Sequence, residues 1–192
     1  MGIKIVTPPS VQPISILGLA PLKLHLNEAA DVSDNDDLIA SYCSAAWDYS
    51  ERYTWRQLLT ASFRLSLPRW QHVIVIPRPR TAAIASVQYY DAANVLQTLD
   101  PADWRADLES DVVDLEVFEF PTLYDRPDAV RINYTAGYGV TAADFPPVLL
   151  HAVRLLVGQY YATREPSTAD TETVDVLLQA IEVRDERLTE YE

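Results

Sequence analysis

Glycine, cysteine and histidine are scarce in this sequence of 192 residues, which holds five, one and three of them. Five glycines leave little from which to build a phosphate-cradling loop, and neither G-x-x-x-x-G-K-[ST] nor G-x-G-x-x-G occurs. The lone cysteine, Cys43, excludes an internal disulfide and fits a reducing compartment. His25, His72 and His151 lie more than forty residues apart, with no C-x-x-C, H-E-x-x-H or H-x-x-x-H spacing, so no metal set is read. No run approaches the roughly 18 apolar residues that span a bilayer, and no membrane association is expected. The first residues, MGIKIVTPPS, lack the apolar core of a secretory signal, and Val6 stands where a myristoylation motif needs Ser or Thr.

What is abundant is negative charge. The formal net charge is −13, which argues against wrapping nucleic acid by neutralising phosphates. The charge is also blocked along the chain. Thr54 to Tyr90 carries five arginines (Arg56, Arg64, Arg69, Arg78, Arg80) and no acid. Asp91 to Asp128 carries eleven acids against two arginines, and Glu165 to Glu192 nine acids against two. Such blocks are either solvated faces or complementary surfaces between neighbouring subunits, where opposite charge sets register. On the second reading, Arg64, Arg69, Arg78 and Arg80 face Asp107, Glu109, Asp111 and Asp114 of the next copy.

Periodicity divides the chain further. Pro8, Pro9 and Pro13 make residues 1–14 an extended arm. Residues 15–59 read as the first part of a helical core. A short helix runs from about Ser15 to Leu26, and a second opens with Ser33 as cap and Asp36 completing an S-x-x-D box. Leu38, Tyr42, Ala45 and Tyr49 continue that second helix towards Tyr53. Residues 60–136 read as an inserted β domain. Its strands are expected at Ser62–Leu67, Val73–Ile76, Ile84–Tyr90, Val95–Leu99, Val112–Phe118 and Ala129–Thr135, with a turn at Asp91 to Asn94 pairing the third and fourth. Residues 137–165 return to helix behind Pro146 and Pro147. Residues 166–192 form an acidic last helix and tail, whose stripe is Val174, Leu177, Leu178, Ile181 and Leu188. The fold class expected is α+β: a helical core from the N- and C-terminal helices, carrying a small antiparallel β domain.

Each candidate for chemistry has a plainer reading. Cys43 falls in the apolar stripe of its helix and reads as a buried structural residue. Asp107, Glu109, Asp111 and Asp114 could supply paired carboxylates, but read more readily as an acidic edge that resists strand pairing. No G-x-S-x-G or S-x-x-K occurs. In Thr135-Ala136-Gly137-Tyr138-Gly139 the glycines allow a turn between strand and helix, and no lysine follows to bind phosphate. No catalytic residue, cofactor or metal is assigned.

Several pieces read together resemble the head–tail connector, or neck adaptor, family of long-tailed bacteriophages and gene transfer agents. They begin with Val11, Pro13, Ile14 and Ser15 leading into Leu22, Leu24 and Leu26, followed by an acidic opening from Asp31 to Leu38. Glu51-Arg52-Tyr53-Thr54 comes next, then a strand with Arg64 and Leu67, then Pro77-Arg78-Pro79, then Ile84 to Tyr90. The clearest piece is the strand–TAGYG–Pro–helix passage from Val130 to Tyr161. The resemblance covers residues 11 to 165; Trp55 departs from it, standing where many relatives have glycine, and the acidic tail is unmatched.

The resemblance implies a structural protein of the virion neck, made in the bacterial host cytoplasm, with no cofactor. It implies a homo-oligomeric ring, of about twelve copies in relatives, between the portal protein and the next neck protein (a stopper or tail-terminator). DNA would pass through the extended channel without specific binding. Portal contact is expected from Val174, Leu177, Leu178, Ile181, Leu188 and Tyr191. Two other classes stay open: a small phage-associated hydrolase, and a monomeric tail or baseplate binding module.

Overall fold

The structure, a computed structural model, describes residues 2–77, 80–109, 112–115, 120–163 and 171–181. It is a mixed α+β protein with antiparallel sheets, in two compact units. One unit comprises Thr60–Gly137 together with the first nine residues. Among the described residues, the other comprises Ser10–Leu59 and those from Tyr138 to Ile181.

Among the described residues the β unit has eight strands: β1 (Gly2–Thr7), β2 (Ala61–Leu67), β3 (Val73–Val75), β4 (Thr81–Tyr90), β5 (Leu96–Thr98), β6 (Trp104–Asp107), β7 (Val112–Leu115) and β8 (Val130–Ala136). Five form one sheet in the order β1-β2-β8-β4-β5, and three form another in the order β3-β7-β6. Every pairing within both sheets is antiparallel. The strict alternation of β2 and β8 decides their faces. Ala61, Phe63, Leu65 and Leu67 lie opposite Ala136, Tyr134, Ile132 and Val130, and all eight are buried. They share a core with Val87 and with Ile74, Val113 and Leu115 of the smaller sheet, so the two sheets bury their apolar faces together. Phe63 and Tyr134 stack at 5.4 Å within it.

The hairpin expected at Asp91 to Asn94 is present. Asp91 N–H donates to the Val95 carbonyl at 3.0 Å, and the Asp91 carboxylate accepts from the amides of Ala93 and Val95. Two strands lay outside the sequence expectation. β1 occupies part of the segment read as an arm, because its alternating Ile3, Lys4 and Ile5 pair with Leu65, Arg64 and Phe63 before Pro8 and Pro9 end the ladder. β6 is a four-residue strand too short to show a period.

The helical unit contains α1 (Pro13–Leu17), α2 (Leu19–His25), α3 (Asp36–Thr54), α4 (Pro147–Thr163) and α5 (Glu172–Gln179). The single helix expected over Ser15 to Leu26 is two. Gly18 adopts φ 76 and breaks it, and Pro21 packs where a side chain on Gly18 would stand. The Ser33 capping box does not form: α3 starts after Asn35, and Ser33 contributes its carbonyl to the Asp36 amide instead. Asp36 turns to Lys23, whose ammonium is buried beside it at 2.5 Å and also donates to the Val32 carbonyl at 2.6 Å. Trp55 ends α3 at φ 55, the left-handed conformation that glycine takes without strain. Pro147 opens α4, and Leu149, Leu150, Ala152, Val153, Leu156 and Val157 are buried along it. These pack with Ile39, Cys43, Ala46 and Trp47 of α3, where Phe145 meets Trp47 edge-on at 5.3 Å.

Candidate functional site

The cysteine and histidines weighed for chemistry lie apart from one another on separate elements. Cys43 is fully buried, and burial pushes its thiol up to about 12, so it stays protonated and unreactive at neutral pH. His25, His72 and His151 are exposed on separate elements, and among the described residues no three His, Cys, Asp or Glu side chains are grouped to hold a metal ion. No helix of the described residues is long and apolar enough to cross a membrane.

Three carboxylates are held below the usual range, the opposite of what a general acid needs. At Asp91 the chief cause is the Val95 amide, helped by Gln97. At Asp128 it is the hydrogen bond from Arg126, then that from Arg131. At Asp144 it is the amide and hydroxyl of Thr141. Asp144 also explains the second glycine of the TAGYG passage. Its carboxylate accepts from the Val140 and Thr141 amides and the Thr141 hydroxyl at 3.1, 2.8 and 2.9 Å. A Cβ on Gly139 would lie 2.2 Å from the Asp144 Oδ2 atom. Gly137, at φ 128, ends β8 and donates to the Arg80 carbonyl. The passage is a turn, not an anion cradle.

What the β unit offers instead is an extended polar surface. The outward positions of its five-stranded sheet align in rows across the strands. One row runs Lys4, Arg64, Asn133, Ser86. The next runs Ser66, Arg131, Gln88, Thr98. Hydrogen bonds knit the rows: Arg64 Nε donates to Asn133 Oδ1 at 2.9 Å, and Asn133 donates to Ser86 and Gln88, each at 2.9 Å. No carboxylate stands in either row. The nearest is Asp128, clamped by Arg126 and Arg131 at 2.5 Å each, and Arg126 lies 3.6 Å over the Tyr90 ring. A face of fixed, mutually bonded polar groups can meet a second surface without having to be ordered first.

Arg64 belongs to this face, with Arg69 and Arg80 exposed elsewhere on the β unit; Arg80 sits at φ 78. Asp107, Glu109 and Asp114 are exposed on and beside β6 and β7 of the smaller sheet. Asp107 accepts from the Glu109 amide at 3.0 Å, and Asp114 stands between Val73 and Arg105 across the ladder. Arg78 and Asp111 lie outside the described residues. Within the β unit, Arg64 thus lies on the larger sheet and Asp107 and Asp114 on the smaller one.

The stripe assigned to an outside partner needs correction. Val174 and Leu178 are buried in the core of the helical unit, because α5 turns that side onto it. Leu177 and Ile181 are half-buried against the same core, while Leu188 and Tyr191 lie outside the described residues. α5 is fastened there by the Tyr49 hydroxyl, which donates to Asp175 at 2.6 Å, and by Arg56, which donates to the Ile181 carbonyl at 2.7 Å. Its exposed apolar residue is Val176. Sequence periodicity found the stripe but not its partner, since an apolar face reads the same whether it meets its own core or another protein.

No protein-family model matches the chain, and no curated protein does. Solved structures do. The fold is similar to a chain in the neck of an empty gene transfer agent particle computed with C6 symmetry, at 27% identity and TM-score 0.77, covering 96% of this chain and 97% of that one. It is similar to a chain in the virion of a native gene transfer agent particle, at 28% identity and TM-score 0.74 over the same shares. It also resembles a chain in the neck of a native gene transfer agent particle computed with C12 symmetry, at 27% identity and TM-score 0.72, again over 96% and 97%.

Proposed function

We propose that the chain belongs to the neck-connector family of phage and gene transfer agent particles and serves there as a ring-forming adaptor. In this reading twelve copies stand between the portal protein and the next neck protein, a stopper or tail-terminator, and extend the DNA channel. The observation that carries it is similarity along 96% of the chain to chains of gene transfer agent necks, two of them computed with C6 and C12 symmetry.

The physical reading supports the role in three ways. The cysteine is inert, and the displaced carboxylates are displaced towards the charged form, so no chemistry is assigned to the chain and it is read as non-enzymatic. A net charge of −13 favours a channel that repels DNA phosphates and lets the duplex slide. The polar rows of the larger sheet and the acidic loops of the smaller one suit neighbouring copies that meet with opposite charge: Arg64, Arg69 and Arg80 on one side, Asp107, Glu109 and Asp114 on the other. We take the β unit as an insertion in a helical core, and the segment after α5 as the portal contact in place of Val174 and Leu178.

Removing the chain from particle-producing cells tests the role. The expected result is DNA-filled heads with no tails attached, and tails that assemble separately. Tailed particles forming at the normal yield would overturn it.

A further inference from the structure

The five-stranded sheet is open at both ends. Among the described residues no strand lies beyond β1 on one side or β5 on the other. Each edge presents unpaired backbone N–H and C=O groups, and such edges pair with other chains unless they are blunted. These two are blunted only in part: Lys4 and a bulge between Ile5 and Thr7 mark β1, and β5 is three residues long. β1 is exposed along its whole length and carries Ile3, Ile5 and Val6 at 44%, 52% and 48% exposure. Ile3 and Ile5 stand opposite the buried Leu65 and Phe63, on the core face, and stay half exposed because no described strand pairs with β1 on its far side. At the other end, Val95 and Leu96 are 52% and 40% exposed. The edges also differ in charge. Gly2–Thr7 holds Lys4 and no acid, whereas residues 91–104 hold Asp91, Asp100 and Asp103 and no Lys or Arg.

We propose that the β1 edge of one copy pairs with the β5 edge of the next, so that the sheets of adjacent subunits run on into one another around the ring. This rests on the adaptor reading above and assigns its subunit junction. Two different edges meeting make a heterologous contact, the kind that closes into a ring when the rotation permits. The direction of pairing follows from the strand count. Four antiparallel steps separate β1 from β5, so the two run the same way. Rotation about a ring axis preserves direction along it, so the junction is parallel. β5 has three residues and β1 six, so the ladder is short, and each subunit contributes one Lys4 edge towards one acidic edge. A second copy is favoured over other occupants because the same chain supplies both open edges and both signs of charge.

The test places cysteines on the outward face of each edge, Lys4→Cys and Thr98→Cys, in purified particles treated with a short bis-maleimide. Cys43 can remain, because it is buried and protonated. The expected result is a ladder of covalent multimers of this chain, absent when either new cysteine is present alone. Three outcomes would overturn the junction: multimers failing to form although the double variant is incorporated, dimers from Lys4→Cys alone (twofold β1–β1 pairing), or a crosslink within one chain. Of these, incorporation without a ladder leaves the neck role standing, whereas absence of the parental chain from particle necks defeats that role and the junction with it. Thr7→Cys with Leu96→Cys, on the same two edges, carries the test if the first pair does not fold.

Discussion

Breaking the Lys23–Asp36 ion pair from its two ends should give unequal results. The Lys23 side chain is 5% exposed and that of Asp36 30%. Asp36→Asn removes the counter-charge and leaves an ammonium in the interior with the Val32 carbonyl as its remaining acceptor. Removing one partner of a fully buried pair costs about 3–5 kcal/mol. The partial exposure of Asp36 admits some water, so about 2–3 kcal/mol is expected here. Lys23→Met removes the buried charge itself and keeps the straight, packed stem. The carboxylate left behind can be hydrated, and it lies in the first turn of α3, where the helix dipole favours it. The loss is then the hydrogen bond to Val32, about 1 kcal/mol, offset by relief of ammonium desolvation. Chemical denaturation of the two variants and the double variant should give Asp36→Asn as the least stable. The double variant should lie near Lys23→Met, with a coupling of about 2–3 kcal/mol. Lys23→Met proving as damaging as Asp36→Asn would refute the reasoning, because it would mean that the ammonium is stabilised by more than its pair.

Three further outcomes follow from the turns and the core. Gly139→Ala should cost about 1–3 kcal/mol by displacing the Asp144 cap, and adding it to Asp144→Ala should cost much less, as double-variant denaturation will report. Asp128 has a folded pKa below its unfolded value, so its contribution is complete above about pH 4 and is lost as pH falls further; Asp128→Asn should flatten the acid limb of a stability–pH profile. Cys43 has a folded pKa raised from 9.0 to about 12, so its contribution is present below pH 9.0 and lost as the unfolded thiol ionises on the way to pH 12; the native chain should resist maleimide at neutral pH and react once unfolded.

Local pattern carried most of the elements. The hairpin at Asp91 to Asn94 was legible because one acidic side chain can satisfy two turn amides, and Ala61–Leu67 and Val130–Ala136 because they alternate cleanly. β1 was not, because three prolines in fourteen residues outweigh a six-residue alternation that gains its meaning from Leu65 and Phe63, about sixty positions away. The Ser33 box failed for a similar reason. A local cap was available, yet Asp36 found a buried ammonium from α2, and a charge-assisted contact of that kind outweighs a cap worth about 1 kcal/mol. The polar rows of the sheet were invisible in one dimension: Lys4, Arg64, Asn133 and Ser86 come from four separate stretches and become neighbours through register alone.

Register also changes what the charge blocks mean. Counted along the chain, residues 91–128 carry eleven acids, as though all were offered to a partner. In the fold some are already engaged. Asp91 closes its own turn, Asp100 accepts from the Ala102 amide, and Asp128 is held between Arg126 and Arg131. Arg131 in turn belongs to the outward face of the sheet, so that face is less basic than its composition suggests, with Lys4 and Arg64 as its cations towards β1. An acid that is already hydrogen-bonded still attracts a neighbouring cation, but it cannot rearrange to meet one, so its position sets where the neighbour docks. Fixed charges at one edge and Lys4 at the other therefore contribute more to the register of a subunit junction than to its strength. The strength must come from backbone pairing and from covering Ile3 and Ile5. Raising the ionic strength should accordingly slow ring assembly on a portal while leaving assembled rings intact, and rings that fall apart in salt would assign the junction to charge instead.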